Sequence, residues 1–184
     1  WYAPDFLVRS RFRAAVPEYE AIAGLDTKYF ILTEDGRFGG VYTWRSRSAA
    51  KAYYSSAWRD RIREQRGSDP DLVLLDVISV VEGTTWLDGE PVGERSASYP
   101  ATATLTLWPR DNDAAALGAA VADRPGLVRA YVVGSSTAVG LVALWATAAH
   151  AADAIAHAPL GAPTLHDAFA ASVIMDAELR ARKM

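Results

Sequence analysis

Two stretches of this 184-residue sequence follow the same order of features. Residues 24–44 read GLDTKYFILTEDGRFGGVYTW, and residues 126–145 read GLVRAYVVGSSTAVGLVALW. Each stretch begins with Gly-Leu, followed by an apolar segment that contains a tyrosine. A polar turn with glycine comes next, and a second apolar segment then ends at a tryptophan. Two apolar segments joined by a short glycine-containing turn are typical of a β-hairpin. We therefore predict an internal repeat that is centred on a hairpin.

The flanks of both hairpins extend the predicted repeat. A helical pattern precedes and follows each hairpin, and an apolar strand closes each copy. The predicted elements lie at 4–23, 46–66 and 75–83 in the first copy, and at 101–108, 113–123, 148–158 and 169–177 in the second. The strand at 101–108 gives the second copy the ferredoxin-like order β-α-β-β-α-β. We expect the matching strand of the first copy to lie upstream of residue 1, with Trp1 and Tyr2 near its exit.

These patterns predict an α+β fold with two ferredoxin-like units, at 1–83 and 101–184. Residues 84–100 are expected to form a linker or hairpin, because Asp88-Gly89 is a turn signal. A four-stranded sheet with helices on one face leaves its other face bare, and that face is apolar here. We therefore expect the two units to pack sheet to sheet, so that one chain forms by itself a dimeric α/β barrel.

Composition narrows the class of protein. Hydrophobic residues make up 51% and charged residues 22%, which is enough apolar material for a core. The net charge of -3 argues against a nucleic-acid binder, which needs a basic surface. The sequence has no cysteine, which excludes disulfides, thiolate metal sites and cysteine nucleophiles. No run reaches the roughly 20 apolar residues of a membrane helix, and no secretion signal is visible, so we predict a cytoplasmic protein without a membrane partner.

The first copy resembles a known family over residues 21–83. The matching residues are Gly24-Leu25, Lys28, Phe30, Glu34, Gly36, Gly39-Gly40, Tyr42 and Trp44, followed by the segment Ser46–Trp58. They resemble the small monooxygenase-like proteins of the YdhR type, which belong to the dimeric α/β-barrel superfamily with the antibiotic-biosynthesis monooxygenases. The resemblance implies a pocket between the sheet and helices of a unit. In the oxygenase members of the superfamily, the resemblance implies, an electron-rich polycyclic phenol or quinol is deprotonated in this pocket and reacts directly with dioxygen, without a cofactor.

Aromatic residues of the first copy are candidate walls for such a pocket. Trp44 and Tyr42 share one face of a strand, and Tyr54 and Trp58 are four residues apart on the following helix. A core role for these aromatic residues remains open. We favour the first copy as the pocket because it retains the family pattern. The predicted substrate-binding residues are Tyr29, Tyr42, Tyr54, Trp58, Trp145 and His166.

Charged and ionisable residues supply the predicted chemistry. Lys28 is expected to stabilise a phenolate, beside Trp44. The three histidines all lie in the second copy, where a histidine is the natural general base near neutral pH. We predict His157 as the catalytic histidine. His150 and His157 are about 10 Å apart on a helix, too far to bind one metal ion, and no H-E-x-x-H motif indicates zinc.

The main prediction is a cofactor-independent monooxygenase that oxidises a small aromatic or polyketide-like phenol or quinol, with dioxygen as co-substrate. Two alternatives stay open, because this fold supports many activities. One is a cyclase, isomerase or lyase of natural-product biosynthesis that uses a histidine base. The other is a haem-binding protein that uses His157 or His166, or a non-catalytic binding protein. A homodimer also stays open.

Overall fold

The computed structural model describes residues 4–33, 36–158 and 160–181. The expectations for Trp1, Tyr2 and Glu34 therefore lie outside the described residues. The elements in chain order are α1 (Asp5–Glu20), β1 (Leu25–Leu32), β2 (Phe38–Trp44), α2 (Arg47–Tyr53), α3 (Ser56–Arg66), β3 (Asp76–Glu82), β4 (Glu90–Pro91), β5 (Ser96–Pro109), α4 (Ala114–Ala122), β6 (Leu127–Gly134), β7 (Ala138–Trp145), α5 (Ala148–Ala156), β8 (Leu165–Met175) and α6 (Ala177–Ala181).

The strands form one curled antiparallel sheet, which confirms the predicted α+β class. The strand order is β2-β1-β8-β5-β7-β6-β3, and the short β4 pairs with β5. Strands β8-β5-β7-β6 with α4 and α5 have the ferredoxin-like arrangement. The two halves meet edge to edge, since β1 pairs with β8 and β3 pairs with β6. The curl then places the apolar faces of both halves around a common core.

The two hairpins have the same register. Leu25 pairs with Trp44, and Lys28 pairs with Tyr42 in the first hairpin, with a register shift after Leu25. The second hairpin pairs Leu127 with Trp145, and has its own shift directly after Leu127. Positions of β1 and β2 can therefore be compared with positions of β6 and β7 one by one.

Buried side chains lie on both faces of the sheet. The concave face holds a cluster that includes Tyr29, Tyr131 and Leu144. On the convex face, α4 and α5 cover the carboxy-terminal half, and α1 covers β1 and β8. The space between the sheet and its helices is therefore separate from the space enclosed by the concave face, because neighbouring residues of a strand point to opposite faces.

Two local predictions need correction. The helix predicted over 46–66 is two helices, because Ser55 is extended and its hydroxyl caps α3 by accepting from the Trp58 backbone N–H. The hairpin in the 84–100 segment does not turn at Asp88-Gly89. It turns at residues 92–96, where the Glu20 carboxylate accepts hydrogen bonds from the backbone N–H groups of residues 94 and 95. No helix among the described residues is long and apolar enough to cross a bilayer.

Candidate active site

The aromatic residues predicted to wall a pocket in the first half pack against one another. The Trp44 ring lies 5.7 Å from the Tyr54 ring, and Tyr54 lies 4.9 Å from Trp58 in an edge-to-face contact. Tyr42 is 5.9 Å from Tyr54, also edge to face. Such distances and angles are those of a packed aromatic core. This group, together with Tyr53, is called the aromatic cluster below, and it fills the space between β2 and the helices α2 and α3.

Lys28 is enclosed by aromatic rings of its own chain. The side chain is buried at 2% exposure, and its ammonium lies 2.8 Å from the centroid of the Tyr19 ring and 4.0 Å from that of Phe30. Gly40 provides the room, because a Cβ there would lie 3.2 Å from Cε of Lys28. The ring faces attract a cation. Lys28 therefore lies buried among aromatic rings of the first half.

Replacing Lys28 with alanine should destabilise the fold. The variant loses a desolvated cation–π contact of about 2 kcal/mol and leaves a cavity among the rings, so we expect a total loss of about 2–4 kcal/mol in the free energy of unfolding. Urea denaturation measures it. Lys51, which is exposed on α2, provides the matched control. Equal stabilities of the Lys28→Ala and Lys51→Ala variants would show that the contacts of Lys28 with the surrounding rings do not stabilise the fold.

Tyr29 lies on the other side of the sheet from the aromatic cluster. It is 1% exposed, on the concave face, and pairs with Val41, whereas its neighbour Lys28 pairs with Tyr42 on the convex face. Within the described part of the chain, its hydroxyl makes no hydrogen bond. Burial and the nearby Tyr131 phenol raise the pKa of Tyr29 well above its usual value. The alternation of the strand thus separates Tyr29 from the other predicted substrate-binding residues.

A cleft lies at the matching place in the carboxy-terminal half, between the sheet and helices α4 and α5. Its free volume is about 20 Å³, which is room for one water molecule. The cleft is lined by Thr104, Thr106, Trp108, Leu117, Ala120, Val121, Arg124, Leu141, Ala143, Trp145, Ala151, Ala154, Ile155, His157, Ala158 and His166. Three residues of the sequence-based prediction, Trp145, His157 and His166, are therefore brought together here.

Small residues on the sheet keep this cleft open. The shared hairpin register places Ala130 where the first half has Lys28, and Ala143 where it has Tyr42. The helix side shows the same change in size. The hydroxyl of Ser46 caps the start of α2, and the hydroxyl of Thr147 caps the start of α5. Counted from these caps, Tyr53 of α2 is equivalent to Ala154 of α5.

His166 and Thr106 form the polar centre of the cleft. They are directly opposite on β8 and β5, and Nδ1 of His166 is 2.8 Å from Oγ1 of Thr106. We assign the tautomer in which Nδ1–H donates to the threonine oxygen, which leaves a lone pair on Nε2. Burial lowers the pKa of His166, against a smaller opposing effect of the Asp167 carboxylate. The imidazole is thus neutral at pH 7 and can accept a proton.

Two tryptophans form apolar walls whose N–H groups are already satisfied. Nε1 of Trp145 donates to Oγ1 of Thr104 at 3.0 Å, and Nε1 of Trp108 donates to the carbonyl of Gly161 at 3.1 Å. Trp145 and Trp108 are 3% and 1% exposed. A bound ring would therefore meet indole surfaces rather than unsatisfied donors.

The other two histidines are less suited to act in the cleft. His157 ends α5, is 60% exposed, and has its Nδ1 2.9 Å from the carbonyl of Asp153 and 3.3 Å from that residue's carboxylate. His150 lies at the start of α5, where its Nδ1 is 3.1 Å from Oγ1 of Thr147. Within the described ranges, no three histidine, aspartate or glutamate residues are grouped to bind a metal ion.

Sequence reasoning missed Thr104, Thr106 and Trp108. The signal was present, because Thr102, Thr104 and Thr106 alternate along one strand and therefore share a face with Trp108. Their partner His166 is sixty residues away in the sequence. The pairing of β5 with β8 was needed to bring them together.

The fold of this chain is that of solved monooxygenase-like proteins. A "putative monooxygenase" from Lactobacillus acidophilus NCFM has a TM-score of 0.50 and 12% sequence identity, over 94% of this chain and 90% of that one. An anthrone oxidase-like protein has a TM-score of 0.54 and 15% identity, over 96% of this chain and 89% of that one.

A third solved structure has the same overall arrangement. It is a "putative monooxygenase" from Fusobacterium nucleatum subsp. nucleatum ATCC 25586, with a TM-score of 0.50 and 9% identity, over 91% of this chain and 87% of that one. Identities this low show a shared fold and no more. No protein-family model and no curated protein sequence matches the chain.

Proposed function

We propose that this protein is a cofactor-independent oxygenase that oxidises a planar phenol or quinol in the carboxy-terminal cleft. The observation that carries the proposal is a neutral His166, held through Nδ1 by Thr106, in a cleft that Trp108 and Trp145 also line. The likeness of the fold to an anthrone oxidase-like protein supports this reaction class. Anthrone is the keto form of a tricyclic phenol, so it serves as the probe, and polyketide-derived phenols of this kind are the substrate class we favour.

The first chemical step is proton removal. Nε2 of His166 takes the proton of the phenol, or the acidic proton of its keto form, and the substrate becomes a delocalised anion. The hydrogen bond from Nδ1–H to Thr106 stabilises the imidazolium that results. Apolar indole walls favour a large, delocalised anion over a compact one, because the spread charge needs less solvation. The base and the walls together thus lower the cost of forming the reactive species.

Dioxygen completes the reaction without another reductant. The carbanionic form of the substrate gives electrons to dioxygen, and a carbon–oxygen bond forms to yield a peroxide that takes the proton back from His166. Loss of water from the hydroperoxide leaves a carbonyl. For anthrone, one dioxygen is consumed, one oxygen atom enters the product quinone, and the other leaves as water. The electrons and atoms therefore balance with substrate and dioxygen alone.

Entry of a ring requires the cleft to widen. The space open in this structure is about 20 Å³, so α5 has to move away from the sheet when substrate binds. Its inner surface carries the short side chains of Ala151 and Ala154, and Ala158 follows the end of the helix in the same lining. These side chains present little to clash with a flat molecule. The amino-terminal half has the aromatic cluster in the same place, so we propose one site per chain.

Filling the cleft tests its assignment directly. Ala154→Phe places a ring where the first half has Tyr53, and we expect it to abolish both anthrone binding and oxygen uptake while the protein stays folded. Ala152→Phe is the matched control, since Ala152 is exposed on the same helix. Oxygen uptake is measured with an oxygen electrode, and folding by circular dichroism. Full activity in a folded Ala154→Phe variant would place the reaction elsewhere.

The same base would also serve an isomerase, cyclase or lyase, and the assay separates these outcomes. Rearrangement of a phenolic probe without oxygen uptake, lost in His166→Ala, would favour base catalysis alone. A Soret band after incubation with haem would instead support the haem-binding alternative. Either result would overturn the oxygenase proposal while leaving the cleft as the site.

A further inference from the structure

One side chain of the carboxy-terminal cleft carries a permanent charge. Among the described residues that line the cleft, this is Arg124, and the others have apolar, hydroxyl or imidazole side chains. Arginine stays protonated in proteins. A few polar groups in an otherwise apolar pocket set the orientation and the identity of the ligand. The charge of Arg124 therefore bears on which ring compounds the cleft accepts.

The Arg124 guanidinium is held by the ends of two helices. Its Nε donates to the carbonyl of Ala120 at 3.2 Å, and its Nη2 donates to the carbonyl of His157 at 3.0 Å. Ala120 lies in the last turn of α4, and His157 is the residue that follows α5. The carbonyl end of a helix has a partial negative charge that attracts a cation. The half-buried guanidinium thus lies where α4 and α5 both end.

The guanidinium has N–H groups left for a further partner. It carries five, and the described residues accept hydrogen bonds from two of them. No carboxylate in the described part of the chain forms an ion pair with Arg124. The nearby Asp153 is instead 3.3 Å from the His157 imidazole. A planar guanidinium with unused N–H groups matches a carboxylate, which can accept two parallel hydrogen bonds.

Opening of the cleft affects the same guanidinium. When α5 moves away from the sheet to admit a ring, the His157 carbonyl moves with it, and the hydrogen bond from Nη2 of Arg124 breaks. A neutral ligand offers no charged replacement for that bond. A ligand with an acid group replaces it with a charge-assisted hydrogen bond, which is stronger than the one lost. An acidic ligand therefore offsets part of the cost of opening.

We propose that Arg124 is a specificity residue that binds a carboxylate on the substrate, so that the preferred substrates are planar phenols with an acid group. The inference rests on the proposed function for the shape of the ligand and for its place in the cleft. It does not depend on how the ring reacts with dioxygen. The carboxylate lies at the ends of α4 and α5, and the apolar ring lies against the indoles of Trp108 and Trp145.

Two unreactive quinones of almost identical shape test the proposal. Anthraquinone-2-carboxylate carries the acid group, and anthraquinone-2-carboxamide is its neutral counterpart. Quenching of tryptophan fluorescence measures both dissociation constants, since Trp108 and Trp145 line the cleft. We expect the wild type to bind the carboxylate about tenfold more tightly than the amide, the effect of one charge-assisted hydrogen bond at a half-exposed site.

Arg124→Gln should reduce this preference to about one. Because the ratio is taken within a single variant, a smaller folded fraction of Arg124→Gln affects both ligands equally. Arg110→Gln is the matched control, since Arg110 is exposed in the same half and does not line the cleft, and it should keep the tenfold preference. Equal affinities of the wild type for the two quinones would overturn the inference. A carboxylate preference that persists in Arg124→Gln or in Ala154→Phe would overturn it as well.

The outcome is separable from that of the oxygenase proposal, because neither quinone reacts with dioxygen. A carboxylate preference that depends on Arg124, in a protein that takes up no oxygen with anthrone, would support the anion site and contradict the oxygenase. Oxygen uptake with anthrone in a protein without the preference would support the oxygenase and contradict the role of Arg124.

Discussion

His166→Ala should lower the rate of oxygen uptake with anthrone by about 10²–10⁴-fold, the usual contribution of a positioned general base. In the proposed mechanism the imidazole Nε2 is the proton acceptor, and Thr106 holds the ring through the 2.8 Å contact with Nδ1. Initial rates in an oxygen electrode measure the effect. Circular dichroism should show an unchanged fold, because His166 is exposed.

The other histidines supply the controls for this experiment. His150→Ala should retain activity, since His150 does not line the cleft. His157→Ala should lose much less than His166→Ala, because the His157 ring is bound to Asp153 at the rim. A variant series in which His157→Ala is inactive and His166→Ala is active would restore His157 as the base and contradict our assignment.

The pH dependence provides a separate test of the same base. Only the neutral imidazole can take a proton, so activity rises as pH increases through the pKa of His166. Burial lowers that pKa below the ordinary histidine value of 6.5. We therefore expect kcat/KM to reach half its plateau below pH 6.5 and to be flat around pH 7. A half-plateau point above pH 7 would show that the base is a different group.

Arg129→Ala should destabilise the protein by about 3–5 kcal/mol, the usual cost of leaving a buried charge without its partner. Arg129 is 3% exposed and forms ion pairs with three carboxylates. Its Nη1 lies 2.6 Å from Asp176, and its Nη2 lies 2.7 Å from Glu178 and 2.8 Å from Glu82. Asp176 is itself 2% exposed. Chemical denaturation measures the loss in the free energy of unfolding.

A surface ion pair is the matched control for Arg129. Arg45 pairs with Asp26 at 2.8 Å, but the two side chains are 71% and 40% exposed. Arg45→Ala should therefore cost no more than about 1 kcal/mol. Burial raises the pKa of Asp176 above its usual value even with Arg129 present, and loss of the guanidinium should raise it further. The Arg129→Ala deficit should therefore shrink as pH falls through the raised pKa of the unpaired Asp176, because the protonated carboxyl no longer has a buried charge. Similar costs for the two variants, or a deficit independent of pH, would contradict this account.

Local sequence patterns predicted most of the elements. Both hairpins form, and Asp113 caps α4 by accepting from the backbone N–H of Ala115. The break between α2 and α3 was also encoded locally, in the capping side chain of Ser55, but the helical period runs through it. Short-range signals of this kind describe where elements begin and end, and they do not describe which surfaces meet.

Sequence did not reveal which half has the open cleft. Aromatic residues such as Tyr42 and Trp44 have the same pattern whether they line a pocket or pack against one another. The deciding difference is the size of the residues at equivalent positions, Tyr42 against Ala143, and its meaning depends on the shared register. The buried Arg129 was likewise invisible, because its partner Asp176 comes from the far end of the chain.

Anaerobic mixing of the protein with anthrone tests the central claim most directly, because it separates proton removal from the reaction with dioxygen. We expect the absorption band of the anthrone anion at one equivalent per chain in the wild type. The band should be absent in His166→Ala and Ala154→Phe, and present in Lys28→Ala. Admission of dioxygen should then bleach it as the quinone forms. An anion band of equal size in His166→Ala, or oxygen uptake by the wild type with no anion formed, would contradict the account.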